Sequence, residues 1–493
     1  MSKNKYITTT LPYANSTPHI GHAFEFIIAD ALVRYFRQSG CDVFFNIGLD
    51  EHGLKIQQAA EKNGVTPREY INELAYTWSR FLEAFDIVSW DNFYRTSDSE
   101  HYVNVQKFWI ETFNRGDIYR KKYSGTYCVG CESFKLDKDL VDGKCQDHPT
   151  TELQTIEEEN YFFKLSKYKN ALNSWALKAT EFIEPKSKRA EFLNIIDSIE
   201  DISVSRLKSS VSWGIPVPGD EDQIIYVWFD ALTNYVFAAG HSSGFPAVFE
   251  SLWNESEVIQ VCGPDNLKFQ SVIFQGLLES AGIKKTDKLL VHGTILDSEG
   301  RKMSKTLGNV VDPIDQLNKY GIDAVRYYAL AGLRTYGNSS WDENQLVGLH
   351  NSHLADDFGN LVSRVGHLAG KLLDEYSEDS SIKLDYSLID GGQFCLSFNR
   401  HIASVIKPLW ESYKISEALD ETNKLVKSLN KKFGDEEPWR HGKEGWTTVL
   451  EVHYAIHRVC ELYRPVIPQK VEEVRSALEK CKKSNIFPKI ELK

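Results

Sequence analysis

Residues 6–48 read YITTTLPYANSTPHIGHAFEFIIADALVRYFRQSGCDVFFNIG, and this stretch decides the fold. Tyr6 to Thr10 is rich in β-branched and aromatic residues, the composition of a strand. The loop LPYANSTP follows. Apolar residues then recur at helical spacing, at Phe24, Ile27, Ile28, Ala31, Leu32 and Tyr35, and the pattern stops at Gly40. The segment DVFFNIG is a short apolar run suited to a buried parallel strand. Strand, helix, strand is a βαβ unit, the start of a doubly wound, Rossmann-like α/β sheet whose ligands sit at the carboxyl ends of the strands. No G-x-G-x-x-G accompanies it, so a dinucleotide-binding reading has no support.

Outward from this unit, the 493 residues exceed what one hydrophobic core organises, and about three units are expected. Residues 121–223 lose the regular pattern and read as an insertion that divides the sheet. Strand-like segments resume in IIYVWF, VIQVCG and KLLVHGTIL. From Gly348 the chain turns helical, with Leu354, Phe358, Leu361, Val365, Leu368 and Leu372 at i+3/i+4 spacing. The expected division is 1–120 and 224–300 for the catalytic halves, 121–223 for the insertion, 301–347 for a loop and stem-contact region, and 348–493 for a helical bundle. No apolar run nears the ~20 residues that span a bilayer, and the start of the chain leaves no room for a leader, so a cytosolic protein is expected. Of the eight cysteines only three cluster, which does not describe a disulfide framework. The net charge of −12 excludes indiscriminate coating of nucleic acid but leaves room for RNA binding through a local basic surface.

Three motifs carry chemistry. His19-Ile20-Gly21-His22 stands where the loop enters the first helix, and a helix N-terminus favours anions through its N–H groups and dipole. The two imidazoles lie on one side of that turn, and Gly21 removes a side chain where a flat base could pack. Lys302-Met303-Ser304-Lys305-Thr306, between Gly300 and Gly308, offers two point charges to a polyphosphate. Cys128-x2-Cys131-x13-Cys145-x2-His148 has the spacing of a closed tetrahedral zinc site, with a structural rather than a catalytic role.

The first two motifs, in this order on such a sheet, strongly resemble the paired signatures of class I aminoacyl-tRNA synthetases, with Thr306 in place of the usual final serine. Further segments resemble the methionine branch of that family: LPYANSTPHIGH, GLDEHGLKIQ, YVWFDALTNYV, GNLVSRV and Glu437-Pro438-Trp439. The resemblance implies activation of L-methionine by ATP with Mg2+, then transfer to the terminal adenosine of tRNA(Met), the initiator included. It implies that His19, Gly21 and His22, with Lys302, Met303, Ser304 and Lys305, bind ATP. His19, His22, Lys302 and Lys305 act on the phosphates. Asp50 pairs with the substrate ammonium, and Leu11, Tyr13, Trp228, Ala231, Leu232 and Tyr235 form the side-chain pocket. Asn360, Arg364 and Trp439 match the anticodon-reading positions.

Two pocket positions depart from the family pattern: Asn266 and Gln270 stand where an isoleucine and a histidine are usual. One structural zinc per chain and a monomer are expected. The rival readings are another class I synthetase, disfavoured because the insertion is too short for an editing domain, and a silent synthetase-like RNA-binding protein, disfavoured by the intact signatures.

Overall fold

The computed structural model describes residues 4–128, 133–135, 140–146, 151–242, 244–303 and 308–492. In chain order it contains β1 (Lys5–Thr8), α1 (Ile20–Gln38), β2 (Val43–Leu49), β3 (Asn92–Arg95), α2 (Ser99–Asn114), β4 (Ile118–Cys128), β5 (Leu153–Phe163), β6 (Ile183–Glu184), α3 (Val227–Ala238), β7 (Glu257–Cys262) and β8 (Lys288–Val291), with further elements between them, the helix Pro67–Ala84 included. The second half adds β9 (Ile295–Leu296) and β10 (Ser339–Ser340). Its long helices are α4 (Asn360–Glu375), α5 (Ile415–Asp435), α6 (Trp446–Tyr463) and α7 (Pro468–Glu479). The chain forms two compact units, one of residues 1–18, 40–83 and 88–292, the other of residues 19–39, 84–87 and 293–493.

The first unit is built on a six-stranded sheet in the order β3-β2-β1-β7-β8-β6. Every neighbouring pair in it is parallel. From β1 the chain winds outward through β2 and β3, then returns to the other side of β1 as β7. The strand order therefore reverses between β1 and β7, the place where doubly wound sheets hold ligands. The sheet is α/β and doubly wound, as its first βαβ unit requires. Between its halves, β4 and β5 form a long antiparallel hairpin, in register from Ile118↔Phe163 to Cys128↔Leu153. The 121–223 segment does not remain apart from the sheet, because β6 pairs in parallel with β8 and forms its edge. A two-residue strand has no periodicity to read.

The second unit contains α1 and the helical region. Helical spacing predicts one apolar face for α1, but the structure buries it on most sides, Glu25 and Asp30 included. A helix inside a core must neutralise such groups. Asp30 accepts from Arg34 Nε at 2.7 Å and from Arg326 Nη2 at 2.6 Å. Arg326, itself 1% exposed, also donates to the carbonyls of Phe85 and Val466. In α4, Leu361, Val365, Leu368 and Leu372 face inward, as their spacing predicts. No helix among the described residues is long and apolar enough to cross a membrane.

Candidate active site

The start of α1 is built by the histidine pair. His19 is the N-cap: its Nδ1 accepts from the backbone N–H groups of Gly21 at 3.1 Å and His22 at 3.4 Å. His22 Nδ1 in turn accepts from the N–H of His19 at 3.2 Å. The reciprocal arrangement is a capping box in which imidazoles replace the usual hydroxyl and carboxylate. The rings stack with centroids 3.7 Å apart. Because both Nδ1 atoms accept, each neutral ring carries its proton on Nε2, the atom that could donate to a phosphate oxygen. Gly21 serves this geometry directly: a Cβ there would lie 3.0 Å from His19 Cε1. Room for the neighbouring imidazole is thus the visible reason for glycine.

The second signature begins on a tight hairpin in the same unit. Leu296 pairs with Lys302 across the turn. Asp297 accepts from Arg301 Nε and from Asn309 Nδ2, both at 2.8 Å, so one carboxylate ties the residues that flank the signature. The Asn309 amide and the Arg301 backbone hold that carboxyl well below its usual range. Lys302 is exposed and Met303 half-buried. Ser304, Lys305 and Thr306 lie outside the described residues.

The expected amino-acid pocket falls in the first unit. Asp50, 5% exposed, directly follows β2, and its backbone pairs with the Pro12–Ala14 segment through Asp50 N to Pro12 O (3.0 Å) and Ala14 N to Asp50 O (2.8 Å). Trp228 opens onto Phe269, with ring centroids 3.7 Å apart and planes 12° apart. Trp228, Phe269 and Leu11 pack against one apolar cluster that also holds Leu232 and Tyr235. Ala231, Leu232 and Tyr235 are buried along α3. Gln270 donates from Nε2 to the Tyr235 hydroxyl at 2.7 Å and accepts from Gln260 Nε2 at 2.9 Å. Asn266 instead lies in a short turn, where its backbone N–H donates to Gly263 O. The two departures from the family pattern therefore sit differently: Gln270 is in the buried network, Asn266 at its margin.

Sequence reading missed several residues here. Phe269 is legible only as an aromatic beside Gln270. His52, Gly53, Arg206, Trp213, Tyr226 and Val227 line a small, partly open pocket next to the first turn of α3. The Arg206 guanidinium lies 4.0 Å from the Tyr226 ring centroid, placing a buried cation in that wall. Glu51, paired with Arg95 at 2.9 Å, is pushed toward protonation by burial.

In the helical region, Arg364 lies over the rings of Phe433 (5.1 Å) and Trp439 (5.6 Å), and Trp439 is 44% exposed. Asn360 is exposed one turn earlier on α4. On α5, Lys424 pairs with Glu421, and Lys432 with Glu436 and Glu451. Cys128, the last residue of β4, and Cys145, in the segment between β4 and β5, are both fully buried. Cys131 and His148 lie outside the described residues. Among the described residues no group of three candidate ligands could hold a metal ion.

A doubly wound parallel sheet, a histidine pair capping its first helix and a Lys-Met-Ser-Lys-Thr segment beyond its last strand define a class I aminoacyl-tRNA synthetase. Residues 5–155 and 135–366 match the family described as tRNA synthetases class I (M). The chain is 36% identical to a methionine–tRNA ligase of Caldanaerobacter subterraneus, over 90% of this chain and 68% of the relative. It is 35% identical to that of Fusobacterium nucleatum, over 97% and 75%. The solved Mycobacterium tuberculosis methionyl-tRNA synthetase in complex with methionyl-adenylate superposes with a TM-score of 0.87 at 30% identity, covering 99% of this chain and 100% of that one. The chain belongs to the methionyl-tRNA synthetase family.

Proposed function

We propose that this chain activates L-methionine with ATP and transfers the methionyl group to tRNA(Met), the initiator included. The observation that carries the reading is agreement along almost the whole chain with a synthetase solved with methionyl-adenylate. In the first step a methionine carboxylate oxygen attacks the α-phosphorus, the bond to the β-phosphate oxygen breaks, and pyrophosphate leaves. Such a step needs orientation and charge neutralisation rather than a covalent residue. His19 and His22 would donate from Nε2 to phosphate oxygens. Lys302 and Lys305 would take the charge of the departing pyrophosphate, and Mg2+ accompanies ATP. Asp50 pairs with the substrate ammonium, while Leu11, Tyr13, Trp228, Ala231, Leu232 and Tyr235 enclose the thioether, which packs well on aromatic rings. In the second step a hydroxyl of the tRNA terminal adenosine, the 2′-OH in class I, attacks the activated carbonyl and AMP leaves.

Asn360, Arg364 and Trp439 are proposed to read the anticodon, since unstacked bases are recognised on aromatic and guanidinium planes. Cys128, Cys131, Cys145 and His148 are proposed to hold one structural zinc; the two buried thiols, Cys128 and Cys145, fit its soft-donor chemistry. The five-part division of the chain, the cytoplasm as its location and a monomeric state belong to the same reading. Amino-acid-dependent ATP–pyrophosphate exchange tests it. Methionine should support exchange and the other amino acids should not. Exchange with a different amino acid would overturn the specificity, and none with any would favour a silent RNA-binding relative.

A further inference from the structure

Asp230 is fully buried in the first turn of α3, two residues after Trp228 and directly before Ala231. Among the described residues its ion-pair partners are two imidazoles, neither of them a signature residue. His52 Nδ1 lies 2.7 Å from Oδ2, and His101 Nε2 lies 2.7 Å from Oδ1. Both histidines are 1% exposed. The outer nitrogens are also engaged: Tyr102 is 3.0 Å from His52 Nε2, and Tyr94 is 2.8 Å from His101 Nδ1.

Donor counting orients the chain. A carboxylate only accepts, so each imidazole gives it an N–H, and a neutral ring then accepts a phenol O–H at its other nitrogen. Burial would raise the Asp230 carboxyl, but His52 and His101 outweigh it and hold it below the usual range. Burial beside this carboxylate pushes the Tyr102 phenol up to about 12, so it remains a donor.

The elements joined are the ones that shape the amino-acid site. His52 lies two residues after Asp50, in a loop also held by Gly53 N to Trp213 O (3.0 Å) and by Trp213 Nε1 to Glu51 O (2.6 Å). His101 comes from α2 and Tyr94 from β3, and Asp230 comes from the helix that carries Trp228, Ala231, Leu232 and Tyr235. We propose that Asp230 is a positioning residue for methionine: by accepting from His52 and His101 together it fixes the first turn of α3 against the Asp50 loop and so sets the spacing between ammonium site and side-chain pocket. The proposal rests on the reading that Asp50 and α3 bind methionine.

Asp230→Asn tests it in the full-length enzyme. An amide keeps one acceptor but turns an NH2 toward the second imidazole, which must switch tautomer and reverse its bond to tyrosine, donating where it had accepted. Methionine KM in pyrophosphate exchange should rise about tenfold, the effect of one buried hydrogen bond, with kcat and ATP KM within about twofold. The low-field imidazole N–H proton signals should change with it. The Tyr94→Phe, Tyr102→Phe double variant leaves the carboxylate intact and serves if Asp230→Asn does not fold; it should raise methionine KM in the same selective way. An unchanged methionine KM, or an equal loss in kcat and both KM values, overturns the proposal. Asp50→Asn separates the two readings. If it raises methionine KM while Asp230→Asn does not, the positioning role fails and the site stands; if neither does, the site reading itself fails.

Discussion

At the residue scale, Gln270 shows how a departure from a family pattern becomes interpretable once its partners are known. From the sequence it is only a polar residue in an apolar pocket. In the fold it is 2% exposed and bridges Gln260 to the Tyr235 hydroxyl. Because Gln270 donates to that oxygen, the phenol proton is directed elsewhere, and the ring keeps one orientation along α3. Gln270→Leu is nearly isosteric but removes both bonds, leaving two buried polar groups without this partner at a cost of about 1–3 kcal/mol each. Methionine KM in pyrophosphate exchange should rise roughly tenfold or more, while tRNA KM in charging stays within about twofold. An unchanged methionine KM would remove Gln270 from the pocket. Asn266→Ala, by contrast, touches a turn held by the backbone bond from Asn266 N to Gly263 O, and its effect on methionine KM should be small.

At the scale of elements, the β4–β5 hairpin brings Cys128 to its far end, and Cys145 is buried in the same segment. Free thiols of this kind, held in no disulfide, are what a zinc knuckle uses. Metal analysis of natively purified protein should return one zinc per chain, and Cys145→Ser or a strong chelator should remove it and lower the thermal midpoint. A fully active native preparation without zinc would sink the assignment. The elements also show which parts of the fold were legible. β1, α1 and β2 followed from composition and periodicity, as did the place of the histidine pair at the start of α1, whereas the capping box the pair forms emerged only with the fold. The burial of Asp30 was not legible, because it depends on Arg326, 296 positions away. The edge strand β6 is too short to leave a pattern. His52, His101 and Asp230 meet across separations of 178 and 129 residues, so nothing local in the chain announces them.

At the scale of the whole molecule, each compact unit carries its own set of the proposed residues. Asp50, Trp228, Tyr235 and Gln270 belong to the first; His19, His22 and Lys302 belong to the second, as do Arg364 and Trp439. Pyrophosphate exchange requires only methionine and ATP, whereas charging also requires the RNA, so damage at the reading surface should separate the two activities. Trp439 is the sharpest probe because its indole is 44% exposed beside the Arg364 guanidinium. Stacking of a base on an aromatic ring contributes about 1–3 kcal/mol. Trp439→Ala should therefore lower kcat/KM for tRNA(Met) by about ten- to a hundredfold, with methionine-dependent exchange and thermal midpoint unchanged. Arg364→Ala should act in the same direction. Charging of Trp439→Ala at the wild-type kcat/KM would show that the exposed indole does not read the RNA, and a parallel fall in exchange would show that it supports the fold instead.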